Sequence, residues 1–263
     1  MLQLEDLSKH FGGLPALDAV SFSVPRGAIT ALIGPNGAGK STLINCLTGV
    51  LPANRGAAFF LGENLVGLPA HTIACRGIAR TFQNLKIFPR LSVLDNVLTG
   101  LTCEGGRSMV MAMLRLPALR HRERQLKLRA LEALDRYSLA DKAAWPAGVL
   151  AYGDKKRLEL ARATVSRPAL ILLDEPVAGL NAAETAAVGE QLQRLKSLFF
   201  EPVCRQGVLG VFDGSAARAG QLAELETQLD RLGLHQVLPS TPGNPFWLAV
   251  DMPARTTSIK PEP

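Results

Sequence analysis

The sequence predicts an α/β protein, and three observations predict it. An apolar strand pattern at residues 28–33 leads through a glycine-rich loop into a helical pattern at residues 40–48. A second continuous apolar run, at residues 169–174, is typical of a central parallel strand. Between residues 93 and 139 the apolar spacing is helical. Together these patterns predict an α/β core with a helical subdomain inserted into it.

The remaining short segments predict an antiparallel β subdomain. From residue 2 to residue 24, apolar stretches alternate with turn residues, including Gly12 and Gly13. A second hairpin is expected at residues 56–62 and a further strand at residues 77–82. The basic stretch 115–129 is most simply a solvated helix face, with lipid or partner contact as the alternative.

Composition limits the protein class. The 263 residues are 47% hydrophobic and 20% charged, as in a globular protein. Four separated cysteines with no C-x-x-C pair indicate reduced cytosolic thiols. No apolar run approaches the ~20 residues that span a bilayer, and the first residues do not resemble a signal peptide, so we expect a cytoplasmic chain. A net charge of +6 is compatible with binding to anionic lipid or to nucleic acid and does not distinguish between these partners.

The loop between the first predicted core strand and its helix fits G-x-x-x-x-G-K-[ST] at every fixed position. Backbone N–H groups in such a loop face nucleotide phosphates, while Lys40 adds a positive charge and Ser41 a ligand for magnesium. The predicted ATP-binding residues here are Gly34, Pro35, Asn36, Gly37, Ala38, Gly39, Lys40, Ser41 and Thr42.

Two acidic residues end the second core strand. Asp174 is placed to reach the magnesium of a nucleotide on the neighbouring loop. Glu175 points differently because side chains alternate along a strand, so it is predicted to polarise the attacking water.

A third motif resembles the signature loop of ATP-binding cassette (ABC) ATPases and lies upstream of Asp174. Its residues are Leu150, Ala151, Tyr152, Gly153 and Asp154. Ala151 replaces the usual serine and Asp154 the usual glutamine. The N-terminus of the following helix can offer N–H groups to a γ-phosphate held by a second subunit. The resemblance implies a P-loop core of ABC type, with Mg²⁺ and ATP bound between two subunits.

Other positions match this family in order. Gln83 corresponds to the glutamine that contacts magnesium or water and couples to the membrane subunit. Phe11 corresponds to the aromatic residue that stacks on adenine. Residues 179–181 correspond to the loop that meets the opposing subunit.

Residues 2–196 are similar to the ATP-binding subunits of bacterial branched-chain amino-acid importers, on segments 11–17, 45–49 and 77–84. This resemblance implies a peripheral subunit on the cytoplasmic face of the inner membrane. Its implied partners are a second ATP-binding subunit, identical or not, transmembrane permeases and, indirectly, a periplasmic solute-binding protein; nucleic acid is not among them. Relatives that carry urea or other amides leave the solute open.

The match stops after residue 196, so we predict an ABC domain at residues 1–196, its helical subdomain at about 84–165, and a divergent segment at 197–263. The family expects a strand ending in a switch histidine near Gly207, and none is present; His235 is a poor substitute. Hydrolysis should therefore be impaired. Residues 208–212 are a candidate replacement strand, residues 215–234 have helical leucine spacing, and residues from 239 onward are expected to stay outside the core.

Two other functions are alternatives for this sequence. ABC ATPases of DNA repair or translation usually carry a long coiled coil or a second cassette, whereas this chain has one phosphate loop and no long heptad run. A non-hydrolysing ATP-binding regulator would fit the missing histidine. Measured ATP turnover separates that regulator from a transport ATPase.

Overall fold

The computed structural model describes residues 1–27, 29–34, 37–82, 85–104, 117–174, 207–213, 236–239 and 247–250. The chain forms two units, one of residues 1–73 with 172–263 and one of residues 74–171. The strands are β1 (Leu2–Phe11), β2 (Leu14–Val24), β3 (Ile29–Gly34), β4 (Arg55–Phe60), β5 (Glu63–Asn64), β6 (Ile78–Arg80), β7 (Leu170–Asp174), β8 (Gly207–Asp213), β9 (Gln236–Pro239) and β10 (Trp247–Val250). The helices are α1 (Lys40–Leu47), α2 (Ala70–Cys75), α3 (Val93–Thr99), α4 (Pro117–Arg136) and α5 (Tyr152–Thr164), with short 3-10 helices at Ala140–Lys142 and Ala147–Val149.

The first unit contains the predicted antiparallel β layer. Its strands lie in the order β2-β1-β4-β5, and β1 pairs antiparallel with both β2 and β4. Leu2, Leu4 and Leu7 of β1 are buried, which gives this layer an apolar face. Both predicted hairpins are therefore present.

A second sheet in the same unit carries the strand that precedes the glycine-rich loop. In it β7, β8, β3, β10 and β9 follow one another, with β8 parallel to β3 and β10 antiparallel to it. The candidate replacement at residues 208–212 is thus part of strand β8, whose last residue, Asp213, pairs with Gly34. The expectation that everything after residue 239 lies outside the core is wrong for β10, because its backbone pairs with β3.

The second unit is mainly helical and includes the predicted helical subdomain. Ser92 is the N-cap residue of helix α3, and its hydroxyl accepts a 2.9 Å hydrogen bond from the Asp95 N–H. Its core is apolar and comes from helices α3, α4 and α5, with buried residues that include Val93, Val97, Ala130, Leu134, Leu158 and Ala161. Residues 120–125 of the basic stretch are exposed, which supports the solvated helix face.

The cysteine prediction is wrong for two of the four residues. Cys75, at the end of α2, forms a disulfide with Cys103 at a Cα–Cα distance of 5.3 Å, and both cysteines belong to the second unit. The 28-residue separation between them gave no signal, because proximity arises only when the unit folds. Cys46 is a buried free thiol whose pKa is raised by burial. Cys204 lies outside the described residues.

Other predictions on the tail also lie outside the described residues, among them the helix at 215–234 and the boundary at 196. Within the described ranges, no helix combines the length and apolarity that a membrane crossing requires.

Gly100 tests how closely α3 and α5 pack. A Cβ added there would lie 2.3 Å from the Arg162 carbonyl oxygen and 2.8 Å from a methyl group of Val165. We expect Gly100→Ala to lower the free energy of unfolding by about 1–3 kcal/mol in urea titrations, because overpacking forces backbone shifts. Gly13→Ala is the control, since its Cβ would meet nothing within 4 Å. Equal losses in both variants would contradict close packing at Gly100.

Candidate functional site

The loop between β3 and α1 depends on glycine at two positions. Gly37 and Gly39 have φ angles of 82° and 88°, in the left-handed region that disfavours residues with a Cβ. A Cβ on Gly39 would also lie 2.3 Å from the Ala16 carbonyl oxygen of β2. Gly39 therefore lets the backbone turn sharply into α1 while it lies against β2.

The N-terminus of α1 is suited to an anion. Gly39 is its N-cap residue and supplies no side-chain hydrogen bond, and the first turn contains no acidic residue. The helix dipole and the backbone N–H groups of this turn therefore favour a bound anion. Lys40 is buried, Ser41 exposed and Thr42 half-buried. These features fit a phosphate chain.

Asp174 is the predicted magnesium ligand at the carboxyl end of β7. All five residues of this strand are buried, and Asp174 is only 4% exposed. Strand β8 separates β7 from β3 in the sheet. A hydroxyl from Ser41 and a carboxylate from Asp174 suit Mg²⁺, which usually takes one or two protein oxygens together with phosphate and water. The described residues contain no cluster of three or more His, Cys, Asp and Glu side chains, so a metal site of that richer kind is absent there.

Several predicted site residues lie outside the described part of the chain. They are Pro35, Asn36, Gln83, Glu175 and residues 179–181. His235 lies outside it as well. Their roles remain predictions.

Phe11 occupies the end of β1, at the turn into β2. Its side chain is 48% exposed, and the Lys9 ammonium lies 5.3 Å from its ring centroid. The hairpin that carries Phe11 also supplies Ala16, the residue against which Gly39 lies. An exposed ring on this hairpin is available to stack on a base, and adenine stacking remains a prediction.

The predicted signature loop is only partly a loop. Leu150 is buried and extended, and Ala151 is the N-cap residue of α5. Tyr152, Gly153 and Asp154 form the first helical turn rather than a loop. Ala151 makes no side-chain capping hydrogen bond, because its methyl group cannot accept one.

Asp154 is held between two cations. Its Oδ2 accepts a 2.6 Å hydrogen bond from Lys142 Nζ, and its Oδ1 accepts one from Arg157. Burial raises the pKa of Asp154, but the hydrogen bonds from Lys142 and Arg157 outweigh it and leave the pKa below its ordinary value. The i, i+3 spacing of Arg157 was readable from the sequence. Lys142 was missed, because it belongs to a separate 3-10 helix.

Further along α5, the side chains of Glu159 and Arg162 form hydrogen bonds with the backbone on either side of residues 83 and 84. The Phe82 N–H donates to Glu159 Oε1 at 3.2 Å, and Arg162 Nη1 donates to the Lys86 carbonyl oxygen at 2.5 Å. Burial raises the pKa of Glu159, against the Phe82 hydrogen bond and the nearby cations Lys156 and Arg162. Helix α5 therefore fixes both chain ends that flank Gln83 in the sequence.

An exposed apolar patch lies beside the start of α3. The segments at 88–92 and 145–149 run together, since the Gly148 N–H donates to the Pro89 carbonyl and the Ala147 N–H to that of Leu91. Four large side chains along these segments are exposed: Phe88 49%, Leu91 39%, Trp145 50% and Val149 67%. Grouped exposed apolar residues mark contact surfaces more often than isolated ones do.

The sequence and the fold of this chain are similar to those of known proteins. The model of the family described as ABC transporter matches residues 17–178. The high-affinity branched-chain amino acid transport ATP-binding protein BraF of Pseudomonas aeruginosa is 38% identical over 197 residues, which are 75% of this chain and 77% of BraF. LivG of Escherichia coli, with the same descriptive name, has the same identity and coverage. The solved ADP conformation of MJ1267, an ATP-binding cassette of an ABC transporter, is 32% identical over 81% of both chains, with a TM-score of 0.67.

Proposed function

This chain belongs to the ABC transporter family, and we propose that it is an ATP-binding subunit that couples ATP binding and hydrolysis to the import of branched-chain amino acids. The observation that carries the ATP-binding part is the turn at Gly39, which joins β3 to an α1 N-terminus without side-chain caps. The relatives BraF and LivG, named for branched-chain amino acid transport, support the solute class.

In this proposal each polar residue of the site has one role. The first turn of α1 binds the phosphate chain, and Lys40 neutralises part of its charge. Ser41, Asp174 and Gln83 would hold Mg²⁺, which withdraws charge from the phosphates. Glu175 orients and polarises the attacking water. Phe11 stacks on adenine.

Hydrolysis requires a second ATP-binding subunit. The signature turn of one subunit presents the N-terminus of α5 to the γ-phosphate held by the other, so ATP joins the two. The dimer is of this chain with itself or with a related subunit.

Slow hydrolysis is part of the proposal, because no histidine ends the strand beside β3. Strand β8 pairs in parallel with β3 and ends at Asp213, opposite Gly34. The family's switch histidine follows the strand after the Asp174 strand, so Asp213 is the residue at the corresponding strand end. An acidic residue there cannot donate to the γ-phosphate as an imidazolium would. This observation also favours the second candidate function, a regulator that binds ATP without hydrolysing it.

Recruitment to the membrane would use the exposed apolar patch of Phe88, Leu91, Trp145 and Val149. Phe88 and Leu91 follow Gln83 closely in the sequence, and Trp145 and Val149 lie on the segment that runs beside them. The family docks its permease in the region that follows this glutamine. We infer that permease subunits cover the patch and hold this chain at the cytoplasmic face of the inner membrane. A periplasmic solute-binding protein would deliver the solute from the other side.

ATP affinity should depend on Lys40. Lys40→Ala removes a cation that accompanies the α1 N-terminus, so we expect the Kd for Mg-ATP to rise by about tenfold to a hundredfold in calorimetric titrations. Lys127→Ala, at an exposed position of α4, is the control and should bind as the wild type does. Equal affinity in the two variants would remove Lys40 from the site.

Turnover should respond to the residue that ends β8. We expect Asp213→His to raise the steady-state ATPase rate by about tenfold, since an imidazole can hold the γ-phosphate and water in line. Asp213→Asn serves as the matched control, because it removes the charge without adding the imidazole. A rate in the unmodified chain equal to that of Asp213→His would mean that another residue fills the role.

Amino-acid uptake by cells tests both the proposed solute class and the proposed docking surface. In a strain that lacks this gene, the wild-type chain should restore uptake of leucine, isoleucine and valine. Trp145→Asp should not restore it, because a charge at a covered apolar contact is costly. Leu128→Asp is the control at another exposed leucine, on α4, and should restore uptake. Restored uptake of a different solute would overturn the substrate class, and full activity of Trp145→Asp would overturn the docking surface.

A further inference from the structure

We propose that Lys142 is a positioning residue for the ATP-bridged dimer, which neutralises Asp154 so that the N-terminus of α5 can receive the γ-phosphate held by the partner subunit. This inference rests on the proposed function and adds to it a residue outside the signature segment.

The Asp154 carboxylate places a negative charge in the first turn of α5, where an anionic phosphate is proposed to bind. Asp154 is the third residue of α5, after Tyr152 and Gly153, and belongs to the first turn. A negative charge here stabilises the helix itself, but it also opposes the binding of an anion to the same N–H groups. Ala151 adds no hydroxyl that could donate to the phosphate. The turn therefore binds phosphate well only if the Asp154 charge is cancelled.

The geometry shows that the charge is cancelled. The Asp154 side chain is only 12% exposed, so water screens it weakly. Lys142 Nζ lies 2.6 Å from Oδ2, and Arg157 bonds Oδ1, which leaves the three residues with a net positive charge. Arg157 is also committed to the Tyr137 carbonyl oxygen at 3.2 Å.

Lys142 makes the cleaner probe of this arrangement. Its ammonium lies 5.9 Å from the Trp145 ring centroid, and methionine at this position removes the charge while keeping an unbranched side chain of similar length. Lys156 is the neighbouring cation on α5 and lies 6.0 Å from the Tyr152 ring centroid.

The competing explanation is structural. A salt bridge from the 3-10 helix at Ala140–Lys142 could simply tie that segment to α5. A purely structural salt bridge is lost equally when either partner is removed. Lys142→Met, Asp154→Asn and the double variant would then weaken dimerisation to the same extent. Charge cancellation predicts opposite signs, because Asp154→Asn removes the repulsive group itself.

The test is ATP-dependent dimerisation of the full-length chain. Sedimentation velocity with adenylyl imidodiphosphate, a non-hydrolysable ATP analogue, gives the analogue concentration needed for half-maximal dimer. We expect Lys142→Met to raise that concentration about tenfold and Asp154→Asn to lower it. In the Asp154→Asn background, Lys142→Met should have less than about a twofold effect. Lys142→Arg should behave as the wild type does.

Each remaining outcome counts against one specific statement. Equal weakening in Lys142→Met, Asp154→Asn and the double variant would establish the structural tie and overturn the inference. No effect of Lys142→Met, in a wild-type background that dimerises, would overturn it too. Melting temperatures measured without nucleotide show whether Lys142→Met has lost dimerisation because it is unfolded. In that case Lys142→Arg, which keeps the positive charge, is the variant whose dimerisation decides whether the inference stands. A wild-type chain that never dimerises with the analogue would instead overturn the proposed function, and with it this inference.

Discussion

The close approach of Gly39 to β2 is the constraint on which the phosphate site depends. The backbone of this residue lies where a Cβ would meet the Ala16 carbonyl oxygen at 2.3 Å, and its φ of 88° is left-handed. That conformation turns the chain into α1, whose first-turn N–H groups form the proposed anion site. The same contact places the site against the hairpin that carries Phe11. Backbone geometry thus sets the position of the proposed anion site, and Lys40 and Ser41 are proposed to act on the ligand bound there.

Helix α5 has a similar organising role in the second unit. Its first turn contains Tyr152, Gly153 and Asp154 of the signature segment, and Asp154 is neutralised by Lys142 and Arg157. Two turns later, Glu159 and Arg162 hold the backbone at Phe82 and Lys86. One helix therefore carries both the turn proposed to meet the γ-phosphate of a partner and the contacts that fix the ends of the Gln83 segment. A displacement of α5 would move both the signature turn and the backbone at Phe82 and Lys86. This shared movement is a physical basis for coupling nucleotide binding to the membrane partner.

The parts of this site that sequence could predict are local. The loop from Gly34 to Ser41, the strand that ends at Asp174 and the helix after Gly153 are each encoded by residues a few positions apart. Contacts between distant segments gave no such signal: the Lys142–Asp154 pair, the Phe82–Glu159 hydrogen bond and the Cys75–Cys103 disulfide exist only after the chain has folded. The pairing of β10 with β3 was missed for the same reason, since the short segment Trp247–Val250 follows a proline-rich stretch and finds its partner more than two hundred residues earlier.

We propose above all that the β3–α1 turn recognises the phosphate chain of a nucleotide. Melting temperatures of the wild-type chain with ATP, ADP and AMP test it most directly, since a ligand that binds the folded state stabilises it by mass action. We expect ATP and ADP to raise the melting temperature by about 5 °C or more at a hundred times their Kd, and AMP at the same concentration to leave it unchanged, because AMP lacks the β-phosphate that α1 is proposed to bind. An equal shift with AMP, or no shift with ATP, would show that this turn does not recognise the phosphate chain.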